Sequence, residues 1–154
     1  MSNVLDFVRS FFEKRGWKYS YVESNQQLSA GFNVSGKIRN IRMSIDFGYE
    51  DCYIVLSPIS IHAPVEAYPE ILRLINHINF TSKFGTFELD ERDGEIRYRI
   101  TVECAGQLPS LEAVERSILL PIQVIQDNAE KMFDIILNGK TFDEIKESLD
   151  KDIE

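Results

Sequence analysis

The stretch RLINHINFTSKFGTFELDERDGEIRYRI, residues 73–100, decides the fold. Its first part places apolar residues at helical spacing and ends in two asparagines, Asn76 and Asn79. Its second part begins at Gly85, alternates apolar with polar residues and turns at Asp93-Gly94, which is the pattern of a β-hairpin. We therefore predict a helix that leads directly into two antiparallel strands.

One register of this hairpin gives favourable cross-strand pairs on both faces of the two strands. It places apolar residues opposite apolar residues, and a carboxylate opposite a guanidinium, which are the cross-strand pairs that stabilise a sheet. The predicted opposite pairs are Leu89 with Ile96, Phe87 with Tyr98, and Glu88 with Arg97.

His77 is one of two histidines in the chain and lies on the predicted helix. On a helical wheel of about 100° per residue that starts at Ile71, His77 falls opposite the apolar side, in line with Glu70 and Arg73. We interpret these three polar residues as an exposed ladder at three- and four-residue spacing. Asn79 falls at the edge of the apolar side, where a buried amide needs partners. We expect Asn79 to bind backbone groups where the helix ends.

The chain before this stretch reads as one helix followed by strands. Asn3 is placed to cap the helix, and Gly16 is placed to end it. Period-two alternation then replaces the helical period, most clearly in IRMSIDF at residues 41–47, which is typical of an antiparallel strand with one solvated face. Pro58 limits the following strand to a sheet edge, or must itself lie near the strand's end.

The chain after the hairpin reads as a long helix and a short one. Ser110 caps the long helix and Gly139 ends it, with Pro121 inside, where we expect a kink or a break. Residues 141–150 open with the capping box TFDE and predict a short appended C-terminal helix.

The predicted order of elements is α-β-β-β-β-α-β-β-α-α. Because the strands follow one another in antiparallel runs, the fold class is α+β, an antiparallel sheet packed against helices. The 154 residues contain no linker and no repeat, so we expect one domain over residues 1–154.

The long helix carries apolar residues on more than one side. Leu120, Val124 and Ile135 point away from its main stripe, and a helix with one partner needs only one apolar face. These three residues predict a second partner, which is either the last helix or another subunit. We expect a symmetric homodimer that uses this outer face, or a sheet edge, as its interaction surface. The main stripe comprises Leu111, Val114, Ile118, Ile122, Ile125, Ala129, Met132, Phe133 and Ile136.

Composition narrows the class of partner. A formal net charge of −8 argues against nucleic acid and against anionic membrane surfaces. No run approaches the roughly 18 apolar residues of a membrane span. The N-terminal stretch has no apolar core of a signal peptide, so we expect a cytoplasmic protein.

The sequence offers no recognisable reaction centre. Cys52 and Cys104 share no short metal or redox spacing with each other or with His62 and His77, so we expect free thiols and no metal. There is no nucleophile elbow, Walker loop or dinucleotide fingerprint. We assign no catalytic, cofactor-binding or metal-binding residue.

The helix end and the hairpin resemble the YbjN family, bacterial proteins whose domain carries a "sensory transduction regulator" label. The motifs are Leu-Ile-Asn-x-x-Asn, Gly-x-Phe-x-Leu-Asp and Asp-Gly-Glu-Ile-Arg-Tyr-Arg, and the likeness extends over roughly residues 4 to 138. The resemblance implies a fold like that of type III secretion chaperones, often homodimeric, and implies no catalytic residue. The residues that carry it are Asn76, Asn79, Gly85, Phe87, Asp93 and Gly94.

The favoured function is a non-enzymatic cytoplasmic protein-binding module, chaperone-like or regulatory, that acts as a homodimer with a polypeptide partner. The alternative is a small-ligand-binding protein, or an enzyme with an unfamiliar site. A buried polar cluster around Asn79, His62 or the segment 49–53 would favour that alternative.

Overall fold

The structure is a computed structural model, and it describes residues 2–151. Within that range the chain forms four α-helices and six β-strands, in the predicted order. The helices are α1 (Ser2–Lys14), α2 (Tyr68–Phe80), α3 (Leu111–Asn138) and α4 (Phe142–Lys151). The strands are β1 (Ser20–Val22), β2 (Gln27–Asn33), β3 (Asn40–Asp46), β4 (Cys52–Pro58), β5 (Thr86–Leu89) and β6 (Ile96–Glu103).

The six strands form one antiparallel sheet in the order β1-β2-β3-β4-β6-β5. The α+β class and the order of elements are therefore confirmed. Pro58 is the last residue of β4, which is an inner strand. Of the two positions that the sequence allowed for this proline, the structure shows the strand end, where its missing N–H costs no ladder bond.

The helices lie on one face of the sheet. Ile41, Met43 and Ile45 of β3 point to that face and are at most 2% exposed. Aromatic contacts from Phe12 to Tyr19 and to Phe32 hold α1 over the β1–β2 end. Further along the sheet, α3 contacts β4 and β6, and α2 contacts β5.

The strand positions that alternate with the core residues point to the other face, which we call the open face. The helices α1, α2 and α3 all contact the opposite face, and α4 contacts α2. By strand register, the open face includes Ser29, Gly31, Arg42, Ser44, Asp46, Ile54, Leu56, Pro58, Arg97, Arg99 and Thr101.

The sequence predicted that Asn3 caps α1 and that Gly16 ends it. The helix begins at Ser2, so Asn3 lies inside it and the predicted Asn3 cap is wrong. The predicted end is confirmed. Gly16 has a φ of 67°, and its N–H donates to the carbonyl of Glu13 at 3.0 Å, while the N–H of Trp17 donates to the carbonyl of Phe12 at 2.9 Å.

The β5–β6 hairpin has the predicted register, with Leu89 opposite Ile96 and Glu88 opposite Arg97. The turn is longer than two residues. Asp90 closes it, because its N–H donates to the carbonyl of Glu95 at 2.8 Å and its carbonyl accepts the N–H of Gly94 at 2.7 Å. Gly94 has a φ of 82°, a conformation that side chains rarely adopt.

The long helix α3 has the predicted ends but no break. The Ser110 hydroxyl accepts the N–H of Ala113 at 3.0 Å, and Gly139 ends the helix at a φ of 66°. The helix continues through Pro121, which is buried. Proline removes one backbone bond, to the carbonyl of Ser117. Buried residues on both sides of Pro121, such as Ile118 and Ile125, hold the helix against the core. Of the two outcomes expected at Pro121, a kink or a break, the break does not occur.

The apolar residues Leu120, Val124 and Ile135 of α3 lie along one edge of a single broad buried face. Ser117 and Pro121 are buried between the main stripe and the second set, so the centre of the buried face lies between them. Ile135 is 4% exposed and belongs to the core, so its assignment to an outer surface is wrong. Leu120 and Val124 are half-buried and pack against the core cluster. These three residues do not require a second partner.

The last helix packs on α2. Thr141 and Glu144 form the predicted capping box, with the N–H of Thr141 donating to the Glu144 carboxylate at 3.0 Å. Phe142 is buried at this contact, 5.6 Å from the His77 ring between centroids. The ladder on α2 therefore lies beside another helix rather than wholly in solvent, because Glu70 accepts the N–H of Phe142 at 2.6 Å.

Candidate functional site

The joint between α2 and β5 is built around Asn79. Its Nδ2 donates to the carbonyl of Phe87 at 2.9 Å, and its Oδ1 accepts the N–H of Phe87 at 2.8 Å. Because β5 is an edge strand, the amide takes the place of a neighbouring strand at that residue. Gly85 is buried beside it, and an added Cβ would lie 2.7 Å from the Tyr98 hydroxyl. These residues fix the joint and offer no free polar group. Asn76 is exposed.

The hairpin turn is held against the loop that follows β4. The N–H of Ala63 donates to the carbonyl of Gly94 at 2.8 Å. His62 Nδ1 lies 3.0 Å from the carbonyl of Asp93. A Cβ on Gly94 would meet the carbonyl oxygen of Ala63 at 2.0 Å. Asp93, Gly94 and His62 therefore join two loops.

The interior holds a small polar cluster between β4 and α3. The Tyr53 hydroxyl lies 2.9 Å from Ser117 Oγ, which donates to the carbonyl of Val114 at 2.7 Å. Tyr53 is therefore the donor to Ser117. Burial raises the pKa of Tyr53 well above its ordinary value. This hydroxyl stays protonated and bonded, so the cluster supports packing rather than reaction.

Neither thiol is activated. Cys52 is half-buried and Cys104 is buried, and both are free, as expected. Burial raises the pKa of both thiols, which disfavours the nucleophilic thiolate. Among residues 2–151, no three or more histidine, cysteine, aspartate or glutamate side chains come together as metal ligands.

The open face carries an apolar strip along β4. Ile54 is 9% exposed and Leu56 is half-buried, yet neither belongs to the main core cluster or packs against it. Pro58 continues the strip to the end of the strand. These side chains are shielded by their neighbours on the open face and not by helices. They are the apolar part of a surface that is otherwise polar.

Charged side chains from β5 and β6 flank the strip. Glu88 accepts hydrogen bonds from Arg97 at 2.6 Å and from Arg99 at 3.1 Å. Burial would raise the pKa of Glu88, but the two guanidinium groups outweigh it and hold this pKa below its ordinary value. The cluster is thus an ionised triad at neutral pH.

Two adjoining depressions, of about 620 Å³ and about 600 Å³, lie at one end of the open face. They share Asn40, Arg42 and Pro58. The first is also lined by Lys18 and carries no carboxylate, and the second is also lined by Arg39. We call the pair the cationic trough. In a chain with 25 acidic and 17 basic residues, this local excess of cations distinguishes the trough as a candidate binding site.

Sequence reasoning did not identify the trough. Alternation placed Arg42 on a solvated face, and that part is correct. The trough also requires Lys18, from before β1, and Pro58, from β4, to lie near Arg42. Strand order and register determine that proximity, and spacing along the chain does not reveal it.

The family model of YbjN, described as "Putative bacterial sensory transduction regulator", matches residues 5–134. The match takes in the joint, the hairpin, the whole sheet and most of α3. The chain belongs to the YbjN family. The resemblance drawn from the joint and hairpin is thereby confirmed, and α4 lies beyond the YbjN match. No curated protein and no solved structure matches the chain.

YbjN membership gives a coarse role, that of a regulator family. Within residues 2–151, no helix combines the length and the apolar character that a membrane crossing needs.

Proposed function

We propose that this YbjN protein is a non-enzymatic regulatory protein that acts in the cytoplasm by binding another polypeptide, in a chaperone-like manner. The observation that carries the proposal is the open face, a broad sheet surface with an apolar strip that the described helices leave uncovered. Leu56 and Pro58 are half-buried, and a bound segment would remove the rest of their apolar area from water.

The face is a better binding surface than the sheet edges. The β5 edge is occupied at Phe87 by the Asn79 amide, so strand addition there would first have to displace two hydrogen bonds. The β1 edge spans three residues, Ser20–Val22, which gives few ladder bonds. A partner laid across the face needs neither edge.

Capture with cross-linking from a cell lysate tests this proposal. The wild-type protein is compared with Leu56→Lys on the open face and with Leu72→Lys, a matched control on α2 where Leu72 is 41% exposed. We expect the wild-type protein and Leu72→Lys to recover the same partner, with cross-links on the open face, and Leu56→Lys to lose it. Equal recovery with Leu56→Lys, when circular dichroism shows it folded, would contradict the proposal.

The homodimer is a second element of the proposal. Its support is the exposed apolar side chains of the helical layer, above all Phe80, which is 87% exposed at the end of α2. Buried aromatic anchors dominate many interfaces. Light scattering should give the mass of two chains, and Phe80→Ser should give one. Leu111→Ser, at the exposed start of α3, is the control. A wild-type monomer at micromolar concentration would remove the homodimer.

A small-ligand-binding protein is the alternative, and the cationic trough is the observation that favours it. A depression of about 620 Å³ is within the size range of ligand sites. Saturable stabilisation of the protein by a small anion in a thermal-shift assay, lost in Arg42→Glu, would support this alternative.

A further inference from the structure

We infer that the cationic trough binds an acidic segment of a partner polypeptide, laid across the strands in an extended conformation. This inference rests on the proposed function, because it assigns the chemistry of the partner at one end of the open face.

The cations of the trough are available to a ligand. Within the described part of the chain, Lys18, Arg39 and Arg42 form no ion pair, and all three are exposed. The one carboxylate in the lining, Glu95, lies 3.7 Å from Arg97. Lys37, also in the lining, lies 3.8 Å from Glu130. Among residues 2–151, these three cations have no carboxylate partner, and all three line the trough.

The spacing of these cations suits a chain better than a single small anion. From Lys18, before β1, to Pro58 on β4, the trough crosses about three strand spacings, or roughly 14 Å. An extended peptide of about four residues covers that length. A phosphate or carboxylate group would contact only one part of the trough, whereas alternate carboxylates along a peptide would reach successive cations.

The surroundings favour polypeptide over nucleic acid. Affinity for a polyphosphate chain grows with the number of phosphates neutralised, and three free cations on a chain of net charge −8 supply few contacts and much repulsion. A polypeptide can place its acidic part in the trough and apolar residues on the strip at Leu56. The trough would then orient the partner, because the rest of the acidic surface repels it.

The lining of the trough also contains hydroxyl and amide groups, whose hydrogen bonds are directional. Asn40 donates to the carbonyl of Phe32 and to Asn33 Oδ1, both at 3.3 Å, so its side chain is fixed in the lining. Ser29 and Ser44 lie opposite each other in register on β2 and β3. The two serine hydroxyls can donate hydrogen bonds to carboxylates or to the backbone carbonyls of an extended segment.

Fluorescence anisotropy with synthetic peptides tests the inference on the intact chain. The probe is a short labelled peptide with glutamate at alternate positions, and its control carries glutamine at the same positions. We expect saturable binding of the glutamate peptide that weakens as salt is raised, and much weaker binding of the glutamine peptide. Arg42→Glu should weaken binding by roughly tenfold or more, since it removes a charge-assisted contact.

Lys146→Glu is the matched control, because it makes the same change in net charge on α4, away from the trough. Equal weakening by Arg42→Glu and Lys146→Glu would overturn the inference, as would equal binding of the two peptides or of a single-stranded oligonucleotide with the same charge. If the peptides fail while cross-links still map a partner to the open face, the inference falls and the proposed function stands.

Discussion

Asn79 presents both polar atoms of its amide to the backbone of one residue, Phe87. A single side chain therefore satisfies an N–H and a C=O at the outer edge of β5. This arrangement keeps that part of the edge from pairing with another chain, which is a recurrent need of edge strands. Because Asn79 lies near the end of α2, the same two bonds also connect this helix to the sheet.

Replacing Asn79 with alanine should destabilise the protein by about 2–4 kcal/mol, because two part-buried backbone groups lose their partners. Asn76→Ala, at an exposed position three residues earlier, should change stability by less than about 0.5 kcal/mol. Urea unfolding of both variants measures the difference. Similar stabilities of the two variants would show that the Asn79 bonds contribute little.

Two buried serines should respond oppositely to alanine. Ser57 is fully buried, and its hydroxyl has no hydrogen-bond partner among the described residues, so Ser57→Ala should leave stability unchanged or raise it. Ser117→Ala removes the acceptor of the buried Tyr53 hydroxyl and should cost about 1–3 kcal/mol. Thermal unfolding compares them. A larger loss for Ser57→Ala than for Ser117→Ala would contradict this assignment.

The β5–β6 hairpin and α3 show which features of individual elements can be predicted from the sequence. Strict alternation predicted the hairpin register correctly, because a slip of one residue would turn Phe87 out of the core. The wheel of α3 misplaced Ile135, since it was centred on the aliphatic stripe while the buried face also includes Ser117 and Pro121. Helix packing, which hydrophobicity alone does not encode, decides that centre.

The α2–α4 contact was also beyond the sequence, although both helices were predicted. Periodicity showed that His77 lies opposite the core, and only the fold brings Phe142 beside it. The cationic trough was likewise not predicted, since one of its two depressions alone joins residues from four separate segments. Local sequence patterns predict individual helices and strands. Contacts between elements that are distant in sequence can be identified only once the topology of the fold is known.

The Glu88 triad predicts a pH-dependent contribution to stability. The pKa of Glu88 is lower in the folded protein than its ordinary 4.5, so the ionised group stabilises the fold above that value, and the contribution is lost as pH falls through the lowered pKa. Because its side chain is 35% exposed, we expect Glu88→Gln to cost under about 1 kcal/mol at pH 7.

Urea unfolding over a range of pH tests this expectation. The difference between the wild-type protein and Glu88→Gln should shrink progressively below about pH 4.5. Glu103→Gln, exposed on β6 and without an ion pair among the described residues, is the matched control and should leave stability at pH 7 nearly unchanged. A difference for Glu88→Gln that is constant with pH would contradict the triad's role.

The docking of α4 gives a local prediction. Phe142→Ala removes the buried side chain that holds α4 on α2, so amide hydrogen exchange in α4 should become faster while exchange in the sheet stays the same. Leu111→Ala, on an exposed side chain at the start of α3, should leave exchange in α4 unchanged. If exchange accelerated equally throughout the chain in Phe142→Ala, α4 would be part of the global folding unit.

At the scale of the whole molecule, the protein is built from two layers, with one sheet under one layer of helices. The core lies between the layers, and the open face contributes little to it. The core and the proposed recognition surface therefore lie on opposite sides of the same six strands. The YbjN match spans the whole sheet, so both sides belong to the family domain.

The one-sided core has a consequence for how such a protein can diverge. Within each strand, every second residue faces solvent, and changes there alter surface chemistry at little cost to folding. A lineage could exchange Arg42 for a neutral residue, or widen the strip at Leu56, and leave the buried positions between them untouched. Partner preference could then change many times on a scaffold whose interior stays constant.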